Sequence, residues 1–237
     1  MESYIYNTPG TYYLSVPMGT TGLTFYVIGG GGRGSLGNTN TGGGGGGGGG
    51  SAYCCFNSTL ASTIQIVVGA GGNNASIDGE DSYISVSQDG DYSNNMCIGG
   101  GGKGVNQSTT GGAGGTVNYI GDWDITQTYS GGNGGAGGVG KGGGGGGGGA
   151  GTAQQGGSGA NGGTGVGGNG GTGGSQYGGN GGKGGIGKTN GNSGTQPGGG
   201  GGGGYSTTTP GNGGAGKVYV FYELGINRVV NIITTGI

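Results

Sequence analysis

The chain has no histidine among its 237 residues. That excludes a histidine-based catalytic triad, an imidazole general base and a histidine zinc site. Charge is scarce as well: seven Lys and Arg stand against nine Asp and Glu, for a formal net charge of -2. With no basic footprint for nucleic acid and no polybasic segment for a lipid surface, neither is expected as a partner. Every apolar stretch is far shorter than a membrane-spanning helix, which argues against membrane insertion. Met1-Glu2-Ser3 lacks the basic and apolar regions of a secretory signal, so the expectation is synthesis in the cytoplasm without a signal peptide. Four prolines are too few for a collagen-like helix. Three cysteines, Cys54, Cys55 and Cys97, make neither a disulfide framework nor a spaced zinc set. They are expected as buried free thiols, with a bridge from Cys97 to one of the adjacent pair as the lesser alternative.

What the chain does have is glycine, 83 residues of it, and much of it is spaced. Gly131-Gly132-Asn133, Gly134-Gly135-Ala136 and Gly137-Gly138-Val139 keep a Gly-Gly-x beat of period three. The beat returns from Gly162 to Ser175 and from Gly178 to Gly187, while the runs Gly42 to Gly50, Gly142 to Gly149 and Gly198 to Gly204 are unbroken and carry no register. Period three fits neither an α-helix nor a strand but the polyproline II helix, whose backbone groups all point outward. Without a Cβ, such helices can approach closely enough to hydrogen-bond side by side. The region 99–216 is therefore expected as packed polyglycine II helices, with Gly134, Gly137, Gly167, Gly170 and Gly184 among the lattice positions. At about 3.1 Å per residue, Gly131 to Gly147 would reach roughly 50 Å as one helix. The competing reading is a disordered linker, which glycine-rich composition alone favours.

Short segments rich in β-branched and aromatic residues set the glycines in context: Tyr4–Tyr6, Thr11–Val16, Leu23–Ile28, Ala52–Phe56, Thr63–Val68, Tyr83–Val86 and Lys217–Leu224. Ile64, Ile66 and Val68 alternate as one half-buried face, as do Val218, Val220 and Tyr222. No segment keeps helical periodicity over three turns. The fold expected is mainly β, a small jelly-roll-like sandwich built from both chain ends with essentially no α-helix. Its parts are N-terminal strands with glycine-rich loops over 1–98, the glycine-rich region over 99–216, a closing strand over 217–224 and a tail over 225–237. A structureless loop of that length inside one compact unit would be unusual, which favours order in the glycine region.

The order Thr8-Pro9-Gly10-Thr11-Tyr12, Val16-Pro17, then Phe25 through Gly32 resembles the opening of a glycine-rich domain family. That family includes phage tail-fibre adhesins, giant-virus glycine-rich proteins and the ectodomain of anaplastic lymphoma kinase-type receptors. Gly49-Gly50-Ser51-Ala52, Ile66 through Gly72, and Gly211 through Val218 continue the resemblance. It implies a β-sandwich with polyglycine II insertions, used for surface attachment, fibre building or ligand binding, and it implies no catalysis, cofactor or metal.

Gly182-Lys183-Gly184-Gly185-Ile186-Gly187-Lys188-Thr189 matches the phosphate-binding P-loop letter for letter. A working P-loop joins a buried strand to a helix, whereas this one sits between glycine-rich stretches and is expected to be inert. Acidic groups gather at Asp78, Glu80 and Asp81, at Asp89 and Asp91, and at Asp122 and Asp124, without calcium-loop spacing, and read as solvated turn carboxylates. Tyr92, Tyr119, Trp123, Tyr129, Tyr177 and Tyr205 interrupt polar or glycine-rich sequence. Tyr177 and Tyr205 read as edges of the glycine lattice, and Trp123, Tyr129 and Tyr119 as candidate ligand contacts. Val229, Val230, Ile232, Ile233 and Ile237 make the tail more apolar than a solvated terminus needs, and are candidate assembly contacts.

The function expected is that of a non-enzymatic structural or attachment protein, a virion surface, tail or fibre component that assembles with copies of itself. It would reside on the virion surface or be extracellular after release. The alternative is an adhesin module that recognises a host surface glycan or receptor through loops between polyglycine helices.

Overall fold

The computed structural model describes residues 2–17, 19–56, 63–87, 96–121 and 123–224. Among them there is no α-helix. Ten strands form two antiparallel sheets: β1 (Glu2–Tyr6), β2 (Gly10–Ser15), β3 (Thr20–Ile28), β4 (Ser51–Phe56), β5 (Thr63–Val68), β6 (Ser82–Val86), β7 (Met96–Gly99), β8 (Val117–Ile120), β9 (Asp124–Tyr129) and β10 (Lys217–Leu224). The orders are β1-β10-β3-β4-β9 and β2-β5-β6-β7-β8. The alternating residues meet where the sheets face each other. Leu23, Phe25, Val27, Val218, Val220 and Tyr222 of the first sheet bury against Ile64, Ile66, Val68, Ile84 and Val86 of the second. At about 25 cal/mol per Å² of apolar surface, this stripe is the main stabilisation of the sandwich.

Cys54 and Cys97 are disulfide-bonded across 43 positions of sequence, which corrects the expectation of three free thiols. Alternation explains which cysteine is chosen. Cys54 points inward between Leu23, Phe25 and Phe56, where Cys97 of the opposite sheet is also wholly buried. Cys55 points outward and stays free, its sulfur 3.6 Å from Thr24 Oγ1.

The glycine-rich region differs from a single insertion. Strands β8 and β9 lie inside 99–216, and four connections, 29–50, 69–81, 100–116 and 130–216, leave the same end of the sandwich. Each joins strands of one sheet. Polyproline II dihedrals lie in the broad β region, so each strand runs straight on into a glycine rod.

The rods share one lattice, and the hydrogen bonds advance in steps of three. Gly42, Gly45 and Gly48 N–H groups donate to the carbonyls of Gly138, Gly135 and Gly132. Gly43, Gly46 and Gly49 donate to Gly204, Gly201 and Gly198, and Gly44, Gly47 and Gly50 to Ser108, Lys103 and Gly100. The same rod accepts from Gly29, Gly32 and Ser35, from Gly112 and Gly115, and from Gly144, Gly147 and Ala150. It is thus enclosed by six segments, and 142–149 and 198–204 are enclosed in the same way. These are the three unbroken glycine runs, which explains their lack of register: all three edges are buried, so no position can carry a side chain. A Cβ built on Gly42, Gly45 or Gly48 lands on the carbonyl of Gly142, Gly145 or Gly148, and one on Gly43, Gly46 or Gly49 lands on Ser35, Gly32 or Gly29.

Outer rods have one free edge, and x of the Gly-Gly-x beat occupies it. Asn133, Val139, Asn169, Thr172, Asn180 and Lys183 are all exposed. The 131–147 stretch does not continue as one long helix. It reverses at Val139-Gly140, and Gly132, Gly135 and Gly138 donate to Gly148, Gly145 and Gly142 as an antiparallel pair. A β-branched residue and Lys141, at φ 75°, interrupt the beat there.

Tyr177, at φ 78° in the turn after one rod, ties lattice to sandwich by packing on Tyr219 of β10 with ring centroids 4.7 Å apart. Burial, and then proximity to Tyr177, push the Tyr219 hydroxyl from 10.0 up to about 12. Below pH 10 the hydroxyl is protonated in folded and unfolded chains alike, and above it only the unfolded chain ionises at first. The stability present below about pH 10 is therefore lost as pH rises towards about 12. Melting temperature should hold from neutrality to about pH 9 and fall above that, and Tyr219→Phe should remove part of the fall. An identical alkaline profile in the variant would refute this assignment.

Candidate functional site

Among the described acidic residues, Asp78, Glu80 and Asp81 cap the lattice. Asp81 Oδ1 accepts from Gly101 N–H at 2.7 Å, Glu80 Oε2 from Ala70 N–H at 3.1 Å, and Asp78 Oδ1 from Gly104 N–H at 2.8 Å. Asp78 also pairs with Lys103 at 3.1 Å on the surface, where such a pair contributes little. Among the described residues no group of three potential ligands could hold a metal ion. Asp89, Asp91, Tyr92 and Asp122 lie outside the described residues, as do Val229, Val230, Ile232, Ile233 and Ile237.

The P-loop match is part of the lattice. Gly182, Gly184 and Gly185 spend their N–H groups on the carbonyls of Gly200, Gly168 and Gly203. Gly187 and Lys188 then form a left-handed turn, at φ 51° and 72°, where a phosphate site needs a helix N-terminus. Lys188→Ala is expected to leave the melting temperature within about 2 °C, as for other exposed substitutions, and titration with magnesium-ATP should show no micromolar binding to either protein. Saturable binding lost in the variant would overturn this.

The five lattice glycines named from sequence all sit against neighbouring backbone. A Cβ on Gly134 or Gly137 lands on the carbonyl of Gly45 or Gly42; one on Gly167, Gly170 or Gly184 lands on that of Gly184, Gly181 or Gly143. Tyr205 lies half-buried at the end of the 198–204 rod, beside Thr189. The three candidate contact residues separate. Trp123 turns inward against Phe56 and Phe25, with centroids at 5.3 and 6.0 Å, and its Nε1–H donates to the Ile120 carbonyl at 3.0 Å. It closes the end of the core. Tyr119 and Tyr129 come together instead, from edge strands of opposite sheets, in one hollow with Thr116, Val117, Thr128 and Ser130.

A second hollow, of about 340 Å³, opens at the lattice tip, lined by Leu36, Asn38, Thr41, Gln107, Ser108, Thr109 and Thr207. Three rod-connecting loops meet there. Asn38 Oδ1 holds the first loop by accepting from the Asn40 and Thr41 N–H groups, each at 2.9 Å. Thr41 Oγ1 is buried and has no partner among the described residues. Sequence reasoning singled out none of these residues. Their signal was available as the breaks in the glycine beat at Ser35-Leu36, at Asn106-Gln107-Ser108 and at Ser206-Thr207-Thr208.

The sequence profile of the glycine-rich domain matches residues 7–223. The chain belongs to the glycine-rich domain family. The match takes in every rod of this glycine-rich domain and all its strands but β1, from the β1–β2 turn to the penultimate residue of β10. No curated protein matches the chain.

Proposed function

We propose that this glycine-rich domain is a non-enzymatic structural or attachment protein, a surface, tail or fibre component of a virion that assembles with copies of itself. The observation that carries the reading is the lattice: three inner rods, each enclosed by six other segments, with side chains carried at the x positions of the outer rods and in the loops that join the rods. Such a body satisfies its own backbone, contains little that is oxidisable or titratable, and holds its tip loops at a fixed distance from the sandwich. Those are the properties of a pillar. The resemblance to phage adhesins and giant-virus proteins points the same way. Negative-stain microscopy of the purified protein tests self-assembly, with fibres, rings or shells expected. Isolated particles at high concentration would overturn it.

The tip hollow favours a second reading, a host glycan or receptor held by the loops between rods. Binding of the monomer on a glycan array, lost when Thr207→Trp fills the hollow, would support it. Full binding by that variant would sink it.

A further inference from the structure

We propose that the hollow between the β8 and β9 edges is a separate binding site for a neutral saccharide, distinct from the tip loops. Tyr119 and Tyr129 line it together, and the hollow measures about 240 Å³. A shallower one of about 570 Å³ adjoins it through Thr128 and Tyr129 and runs on over Gln154, Gln155 and Thr172. The two share a wall, so the groove is long enough for more than one sugar ring.

The lining decides the ligand class. It holds no Asp, Glu, Lys or Arg, so an ionic ligand would be desolvated without a counter-charge. A wholly apolar ligand would strand the Thr, Ser and Gln groups in the same way. A pyranose ring presents an apolar C–H face and a rim of hydroxyls. Tyrosine offers a flat apolar face with a polar tip, and a glutamine both donates and accepts.

Several exposed polar side chains along the outer rods are committed to capping. Asn133 Oδ1 accepts from Gly114 N–H, Asn161 Oδ1 from Ala136 N–H, Asn180 Oδ1 from Gly173 N–H, and Thr189 Oγ1 from Ile186 N–H, at 2.7 to 2.9 Å. In the groove, the side chains of Thr116, Thr128, Ser130, Gln154 and Gln155 and the two tyrosine hydroxyls are engaged by no described residue. The wall at 153–156 is anchored by the Thr152 hydroxyl on Gln176 and by backbone, Gly151 N–H donating to the Gln154 carbonyl at 3.0 Å and Gly156 N–H to the Ser130 carbonyl at 3.1 Å. Its side chains are free to meet a ligand.

The test is nuclear magnetic resonance titration of the full-length protein with a panel of neutral hexose and N-acetylhexosamine tri- to hexasaccharides. At least one should shift the amides of 116–120, 128–130 and 153–157. Tyr129→Ala should weaken that binding at least tenfold. Gln155→Ala, at an exposed position where folding is not at stake, should weaken it at least threefold, and Tyr177→Ala should leave it unchanged. The proposal is overturned if no panel member binds at millimolar concentration, or if the Gln155 variant binds as the parent does. It is also overturned if the shifts centre on Asn38 and Gln107, which would support the tip reading instead. A peptide that shifts β9 along its whole length while no saccharide binds would show strand addition to an open edge, and would overturn it too.

Discussion

Replacing Gly134 and Gly137 together by valine is expected to lower the melting temperature by at least about 15 °C, given that 1 kcal/mol corresponds to ~2–4 °C in a chain of this size. Both positions face the 42–50 rod, and a Cβ at either one lands on a carbonyl of that rod. A backbone carbonyl cannot rotate aside as a flexible side chain can. The rods would have to part, and parting them breaks the ladder in which Gly45 N–H donates to Gly135 and Gly134 N–H to Gly112. Overpacking alone costs about 1–3 kcal/mol per site, and each backbone group left buried without a partner costs about 1–3 kcal/mol more. Asn169→Val is the control. Asn169 lies between Gly167 and Gly170 on an outer rod, exposed, with the same beat on both sides. It should shift the melting temperature by no more than about 2 °C, as surface substitutions do. Equal effects from the two proteins would mean that the rods are not packed. Amide exchange in the parent supplies a second reading: protection over 42–50, 142–149 and 198–204 is expected, and exchange as fast as in a free peptide would return the region to a flexible linker.

That experiment rests on a pattern the sequence carries openly. Two glycines inward and one residue outward is the only arrangement a three-fold rod at the lattice edge allows, so the beat can be read from Asn133, Asn169 or Thr172 without coordinates. The strands at Leu23–Ile28, Thr63–Val68 and Lys217–Leu224 were legible for a similar reason, since one buried face imposes period two. Of the unread strands, β7 alternates but over four residues only, and β8 and β9 lack such a constraint. Strand β8 has three exposed residues out of four, and β9 begins at an aspartate beside a polar turn, so neither shows alternation. Both are edge strands, each paired on one side only. Their place in the sandwich comes from hydrogen bonding to β7 and β4, which local pattern does not encode.

The same limit explains the disulfide and the candidate sites. Cys54 reaches Cys97 only because β4 and β7 occupy facing sheets, a relation fixed by topology. Trp123 sits between two aspartates in sequence yet packs on Phe25 and Phe56, because the β8–β9 turn folds over the end of the core. Tyr119 and Tyr129 stand ten positions apart on strands of different sheets, and the turn between them is what brings both to one hollow.

Truncation after Leu224 is expected to abolish assembly while leaving the subunit folded. Strand β10 already lies between β1 and β3 and supplies Val218, Val220 and Tyr222 to the core, so the sandwich has its apolar stripe without residues 225–237. The chain leaves β10 opposite Thr20, at the end away from the lattice. The glycine surface offers little apolar contact, whereas Val229, Val230, Ile232, Ile233 and Ile237 supply it in a segment of high β propensity. Among the described strands β1, β9, β2 and β8 are each paired on one side only, and an extended segment from another copy can add there through backbone hydrogen bonds. Exposed Tyr4 and Ile5 make β1 one such edge with apolar surface to cover. Sizing and circular dichroism read the two consequences separately: the truncated protein should run as a monomer with the parent's strand signal, and its melting temperature should match that of the dissociated parent. Loss of the strand signal would mean instead that the sandwich does not fold without the tail.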